Sequence, residues 1–201
     1  MEAETVSGQV SLTRRSALVG SGAALLAPLT LHAATGEDLL APMDPPRVEL
    51  VLNIIVTCGA PEAPAQGNGA SKDGTRSRIW PILGGRFFGK GLRGMVVPGG
   101  GDFPVTRPDG VEVIDALYRL RTDDGVTILI HNRGLMYPSM QTGLDPQWPR
   151  FRLVPEFTAP VGRYDWLNRA VFLSTLGPVP ADLLMAKDGQ NDRLIQIYRV
   201  L

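Results

Sequence analysis

The stretch "VEVIDALYRLRTDDGVTILIHNRG", Val111–Gly134, decides the fold class. Its first half alternates apolar and polar residues, the two-residue period of a half-buried strand. "TDDG" reads as a tight hairpin turn, with Gly125 available for positive φ. "VTILIHNRG" is the return strand. Alternation sorts the side chains of this hairpin onto two faces. Ala116, Tyr118 and Leu120 share one face, opposite Asp115, Leu117, Arg119 and Arg121. On the partner, Val126, Ile128, Ile130 and Asn132 oppose Thr127, Leu129, His131 and Arg133.

Similar segments lie on both sides. Val48–Thr57 is rich in Val, Ile and Leu and reads as a strand buried on both faces. "RIWPILGG" and "GLRGMVVP" precede the hairpin, and Pro81 points to an edge or a bulge. "RFRLVPEFT", "WLNRAVFLSTLG" and "DRLIQIYRVL" follow it as three more strands. "GPVPADLLMAKDGQND" holds at most a brief helical turn or a loop. No long, capped segment of helical period follows the N-terminal region. Seven or more strands at regular spacing make the chain all-β, a barrel or a sandwich.

Two glycine stretches imitate nucleotide motifs. "GGRFFGKG" has P-loop spacing up to Lys90, but Gly91 stands where Ser or Thr should coordinate magnesium, and a strand pattern follows instead of a helix. "MVVPGGGDFPVTRPDG", Met95–Gly110, sits between strands, so its glycines read as bulges and tight corners of a hairpin.

The first residues do not belong to the domain. Arg14 and Arg15 precede an apolar run, Ala17 to Leu31, and small residues follow at Ala33 and Ala34. This is the charged, apolar, small-residue order of an export signal, and the Thr-Arg-Arg-x-x-Leu start resembles a twin-arginine signal. The run is too short for a membrane span and is broken by Pro28. Residues 1–34 are therefore expected to be a cleaved signal, 35–46 a linker and 47–201 one domain, with the mature protein in the periplasm.

Composition bounds the chemistry. The 201 residues carry 20 Lys and Arg against 20 Asp and Glu, a net charge of zero, which gives no basic face for nucleic acid. Cys58 is the single cysteine, so no internal disulfide forms. It reads as a small buried apolar residue. Of two histidines, His32 leaves with the signal, and His131 alone cannot build a multi-histidine metal site. A flavin or nicotinamide is disfavoured by the missing βαβ pattern. The expectation is no cofactor and no metal.

"RIWPILGGRFFGKGLRGMVVPGGGDFPVTRPDG", "DALYRLRTDDGVTILIHNRG" and "RYDWLNRAVFLSTL" resemble, in order, the signature blocks of domain-of-unknown-function family 3237, also called uncharacterised protein family 0311. The resemblance runs from about Val48 to Leu201. It implies a compact antiparallel β-barrel with a pocket at one end, and leaves the activity open. Gly101 and Phe103 stand where members commonly carry Ala and Trp, and Leu117 where a positive residue is frequent. If Leu117 lines the pocket, the ligand is less acidic than those of relatives.

The polar candidates follow. Asp102, after three glycines, is expected at a pocket rim, where it either moves a proton or caps a turn. Tyr118 and Tyr164 are candidates to polarise an oxygen. Arg133 either holds an anionic group or pairs with an acid across the sheet. Tyr164, Trp166, Asn168 and Phe172 fall on one strand face, which suits a small-molecule cavity or a barrel core equally. Asn132 and Glu156 are further candidate ligand contacts. Asp123 and Asp124 belong to turn chemistry. Two readings remain: a cofactor-independent lyase or isomerase acting on a small carbonyl-bearing or aromatic compound, and a periplasmic protein that binds such a compound without chemistry.

Overall fold

A computed structural model describes residues 45–62, 70–137, 150–185 and 192–201. The expected export signal and nearly all of the expected linker lie outside the described residues. Among the described residues there are ten strands: β1 (Val48–Cys58), β2 (Arg76–Ser77), β3 (Trp80–Gly89), β4 (Leu92–Asp102), β5 (Val105–Thr106), β6 (Glu112–Thr122), β7 (Thr127–Tyr137), β8 (Arg150–Thr158), β9 (Phe172–Gly177) and β10 (Asp192–Val200). Eight of them follow one another as β6-β4-β3-β1-β10-β9-β8-β7, and β7 pairs back onto β6. The sheet thus closes into an antiparallel barrel, which removes its edges. The two-residue strands β2 and β5 extend from β6 at one end.

The Val111–Gly134 hairpin forms as its alternation requires. Residues 112 to 121 of β6 pair with 136 to 127 of β7, and the turn closes with the Gly125 N–H donating to the Thr122 carbonyl at 2.9 Å. The even-numbered residues of β6 point inward, so Glu112, Ile114, Ala116, Tyr118 and Leu120 form one buried row. Leu120, Ile128 and Ile130 join Ile54 and Ile197 in the core, all fully buried. Each such side chain contributes roughly 1.5–3 kcal/mol of hydrophobic stabilisation.

The triple glycine, read from the sequence as lying between strands, lies within strand β4, and Asp102 ends that strand. The register between β4 and β6 shifts between Val97 and Gly101, so a bulge absorbs the extra residues. Gly99 takes φ +88°, and a side chain on Gly100 would meet the Tyr118 Cβ at 2.6 Å. The run therefore lets the backbone bulge while passing directly over Tyr118.

A second expectation is corrected at "DWLNR". Asp165–Arg169 is a 3₁₀ turn, and only Phe172–Gly177 is strand. Asn168 directs the chain here: its side chain accepts the Ala159 N–H and donates to the Ala159 carbonyl, each at 2.8 Å. Side chains three apart then share a face, so Tyr164 and Leu167 are buried together and Trp166 tilts onto Phe172. The strand-type grouping of Tyr164, Trp166 and Asn168 does not form. "GPVPADLL" holds the short 3₁₀ turn Ala181–Leu183.

Candidate functional site

The two ends of the barrel differ. At the β6–β7 turn, Tyr164 donates its hydroxyl to both oxygens of Asp124, at 2.9 and 3.0 Å. The Thr122 hydroxyl donates to Asp124 at 2.5 Å. That bond, followed by the one from Tyr164, holds the Asp124 carboxyl below its ordinary range. The turn aspartate is thus structural, and Tyr164 belongs to the closure of this end.

The opposite end contains a cavity of about 160 Å³. Its wall is mainly aliphatic, from Val56, Ile82, Ile114, Leu153, Leu176 and Ile195, with Trp80 and Phe151 as aromatic members. Asp102, Glu112, Tyr118, Asn132, Cys58 and Arg193 supply the polar atoms. An apolar chamber with a few convergent polar groups has the composition of a small-molecule site.

Asp102 stands across from Ala116 in the β4–β6 ladder and accepts the Asp115 N–H at 3.2 Å. Burial against the apolar wall pushes its carboxyl up to about 6, outweighing that hydrogen bond, and the neighbouring Glu112 and Asp115 charges add to the rise. The group is poised to give and take a proton near neutral pH. Tyr118 lies two residues further along the inward row. It is 2% exposed, and its hydroxyl has no hydrogen-bond partner among the described residues. Burial also pushes its phenol up, so it is a neutral donor. A buried hydroxyl left unpaired costs about 1–3 kcal/mol, and a ligand oxygen in the cavity would remove that cost. Asn132, 1% exposed, accepts the Ser174 hydroxyl at 3.0 Å. The Cys58 thiol is pushed up to about 11 by burial, consistent with a neutral wall residue.

Of the sequence candidates, Asp102, Tyr118 and Asn132 come together here. Arg133 and Glu156 pair with each other at 3.3 Å on the outer wall, both more than half exposed. Their odd and even positions on β7 and β8 turn them away from the interior. Tyr164, Trp166 and Asn168 lie at the far end. Leu117 is exposed on the outer face, so it does not tune the cavity. Glu112, Arg193 and Trp80 were not singled out in the sequence. For Glu112 a signal existed: it shares the inward phase of Ile114, Ala116 and Tyr118. Among the described residues, no group of three or more metal-ligating side chains gathers, and no helix is long and apolar enough to cross a membrane.

Closure and cavity together define a small antiparallel β-barrel with an acid-bearing apolar chamber at one end. The family described as "Protein of unknown function (DUF3237)" matches residues 46–200, and the chain belongs to it. A UPF0311 protein of Clostridium acetobutylicum is 31% identical over 118 residues, which cover 55% of this chain and 75% of that protein. A β-barrel-like protein of Acinetobacter baumannii superposes with a TM-score of 0.63 at 25% identity, covering 81% of this chain and 100% of the other. An enzyme of Penicillium herquei shares the fold with a TM-score of 0.58 at 21% identity, covering 81% of this chain and 100% of the other.

Proposed function

We propose that the barrel binds one small organic molecule in its end cavity and acts on it without a cofactor, as an isomerase or lyase. Asp102 moves the proton and Tyr118 donates a hydrogen bond to the oxygen where charge develops. Asn132 fixes orientation. The observation that carries this reading is the unpaired, buried Tyr118 hydroxyl in the same chamber as the desolvated Asp102 carboxyl. A core built for packing alone would place Phe at 118 and avoid the cost of the hydroxyl.

The test is exchange chemistry. Octan-2-one incubated in deuterium oxide should lose the protons next to its carbonyl faster with the protein than without it, by proton NMR. Asp102→Asn should remove the acceleration. Binding of the ketone with no faster exchange would favour a non-catalytic binding protein using the same chamber. We also propose that the chain is exported to the periplasm through the twin-arginine route. The order of Arg14 and Arg15, apolar run and small residues supports this.

A further inference from the structure

Glu112 is the one carboxylate of the inward β6 row, and its side chain is only 12% exposed. Both of its contacts fall on a single oxygen. Oε2 faces the Arg78 guanidinium at 3.4 Å and accepts the Thr106 hydroxyl at 3.1 Å, while Arg78 also donates to Thr106 at 3.2 Å. Oε1 has no partner in this cluster, and Glu112 lines the cavity. A buried carboxylate whose contacts among the described residues all fall on Oε2 is held in a fixed orientation, with Oε1 the oxygen left to accept from a ligand.

Its position along the row sets what it meets. Glu112 is six residues from Tyr118, about 20 Å of strand at the backbone, with Asp102 opposite Ala116 between them. Tyr118 lies deep and presents a donor. Glu112 lies at the outer end and presents an acceptor. Ile114, Ala116 and the Asp102 carboxyl lie between the two.

From this polarity we propose, building on the reading above, that Glu112 selects the substrate class. The ligand is an elongated, uncharged aliphatic carbonyl compound. Its carbonyl oxygen is at Tyr118, and a hydroxyl at its far end donates to Glu112 Oε1. A carboxylate at that end is rejected by the fixed charge of Glu112. Arg193, which packs its guanidinium 5.7 Å from the Trp80 ring in the same wall, and Arg78, which faces Glu112 Oε2, are the competing elements, because either would favour the carboxylate instead.

Three probes of equal carbon count separate these roles in calorimetric titration: octan-2-one, 8-hydroxyoctan-2-one and 7-oxooctanoate. The expected order is the hydroxy ketone tightest, by about tenfold over octan-2-one, as for a hydrogen bond to a charged group. The oxo acid is expected to be weakest. Glu112→Gln should shrink the preference for the hydroxy ketone over the oxo acid, read as the ratio of their two affinities in the variant against the same ratio in the wild type. A merely structural Glu112 would shift all three together. Equal affinities in the wild-type protein, or the oxo acid binding tightest, would overturn the assignment and leave the cavity reading standing. That ranking needs no variant to fold. Failure of octan-2-one itself to bind would remove the cavity reading and this inference with it.

Discussion

Asp102 and Tyr118 face one chamber from neighbouring strands, and Gly100, two residues before Asp102, passes close enough over Tyr118 that a Cβ there would lie 2.6 Å from the Tyr118 Cβ. The glycine run thus serves the site by close packing. It lets β4 press on the tyrosine while its end presents the acid.

Gly100→Ala is therefore expected to be destabilising. The added methyl also meets the Leu117 carbonyl oxygen at 2.6 Å, so backbone must move as well as side chain. Overpacking of this kind costs about 1–3 kcal/mol. Chemical denaturation of the variant beside the wild type measures it, and an unchanged midpoint would contradict the close approach.

The raised Asp102 carboxyl has a stability signature. Its folded value, about 6, lies above the ordinary 3.8. Its favourable contribution is fully present below about pH 4, where both states are protonated. It is lost as pH rises through 6, because the unfolded chain ionises first. Asp102→Asn removes that loss. The stability of the variant minus that of the wild type should grow between pH 4 and 6 and then level off, by on the order of 2 kcal/mol. Thermal melts across this range check it; a flat or opposite difference would mean the carboxyl is not desolvated.

Tyr118→Phe removes a hydroxyl that has no partner among the described residues. The unliganded variant should be as stable as the wild type or more stable, by up to about 1–3 kcal/mol. Octan-2-one should bind it about fivefold more weakly, for one lost neutral hydrogen bond. Melting and titration of the same preparation give both numbers. Lower stability with unchanged affinity would make the hydroxyl structural.

Arg133→Ala should do little. The Arg133–Glu156 pair is solvent-exposed, and such pairs contribute about 0–1 kcal/mol. Ketone binding and proton exchange should stay at wild-type values. A marked loss of either would bring the outer wall of β7 and β8 into the function.

Export is testable independently of the barrel. Intact mass of protein recovered from the periplasm should show an N-terminus near Ala34. Replacing Arg14 and Arg15 together by lysine should leave the full-length chain in the cytoplasm. A full-length mass with no change of location in the variant would end the export proposal.

Much of this protein was legible in one dimension. A strand's side-chain period of two is local, so the alternation of Val111–Gly134 marked two strands and placed Ala116, Tyr118 and Leu120 on one face. The glycines of "TDDG" and "PDG" marked turns, because positive φ is a local demand met at Gly110 and Gly125. The same local logic failed at "YDWLNR", where the Asn168 side chain binds backbone groups nine residues away. What only the tertiary structure decided is which face and which end matter. Alternation divides Asn132 from Arg133, but it does not say which of the two is inside. It also cannot say that Tyr118 shares a chamber with Asp102 while Tyr164 closes the far end. Those relations arise when β7 pairs back onto β6, because only closure of the sheet gives every strand an inside and brings residues distant in sequence to the same depth.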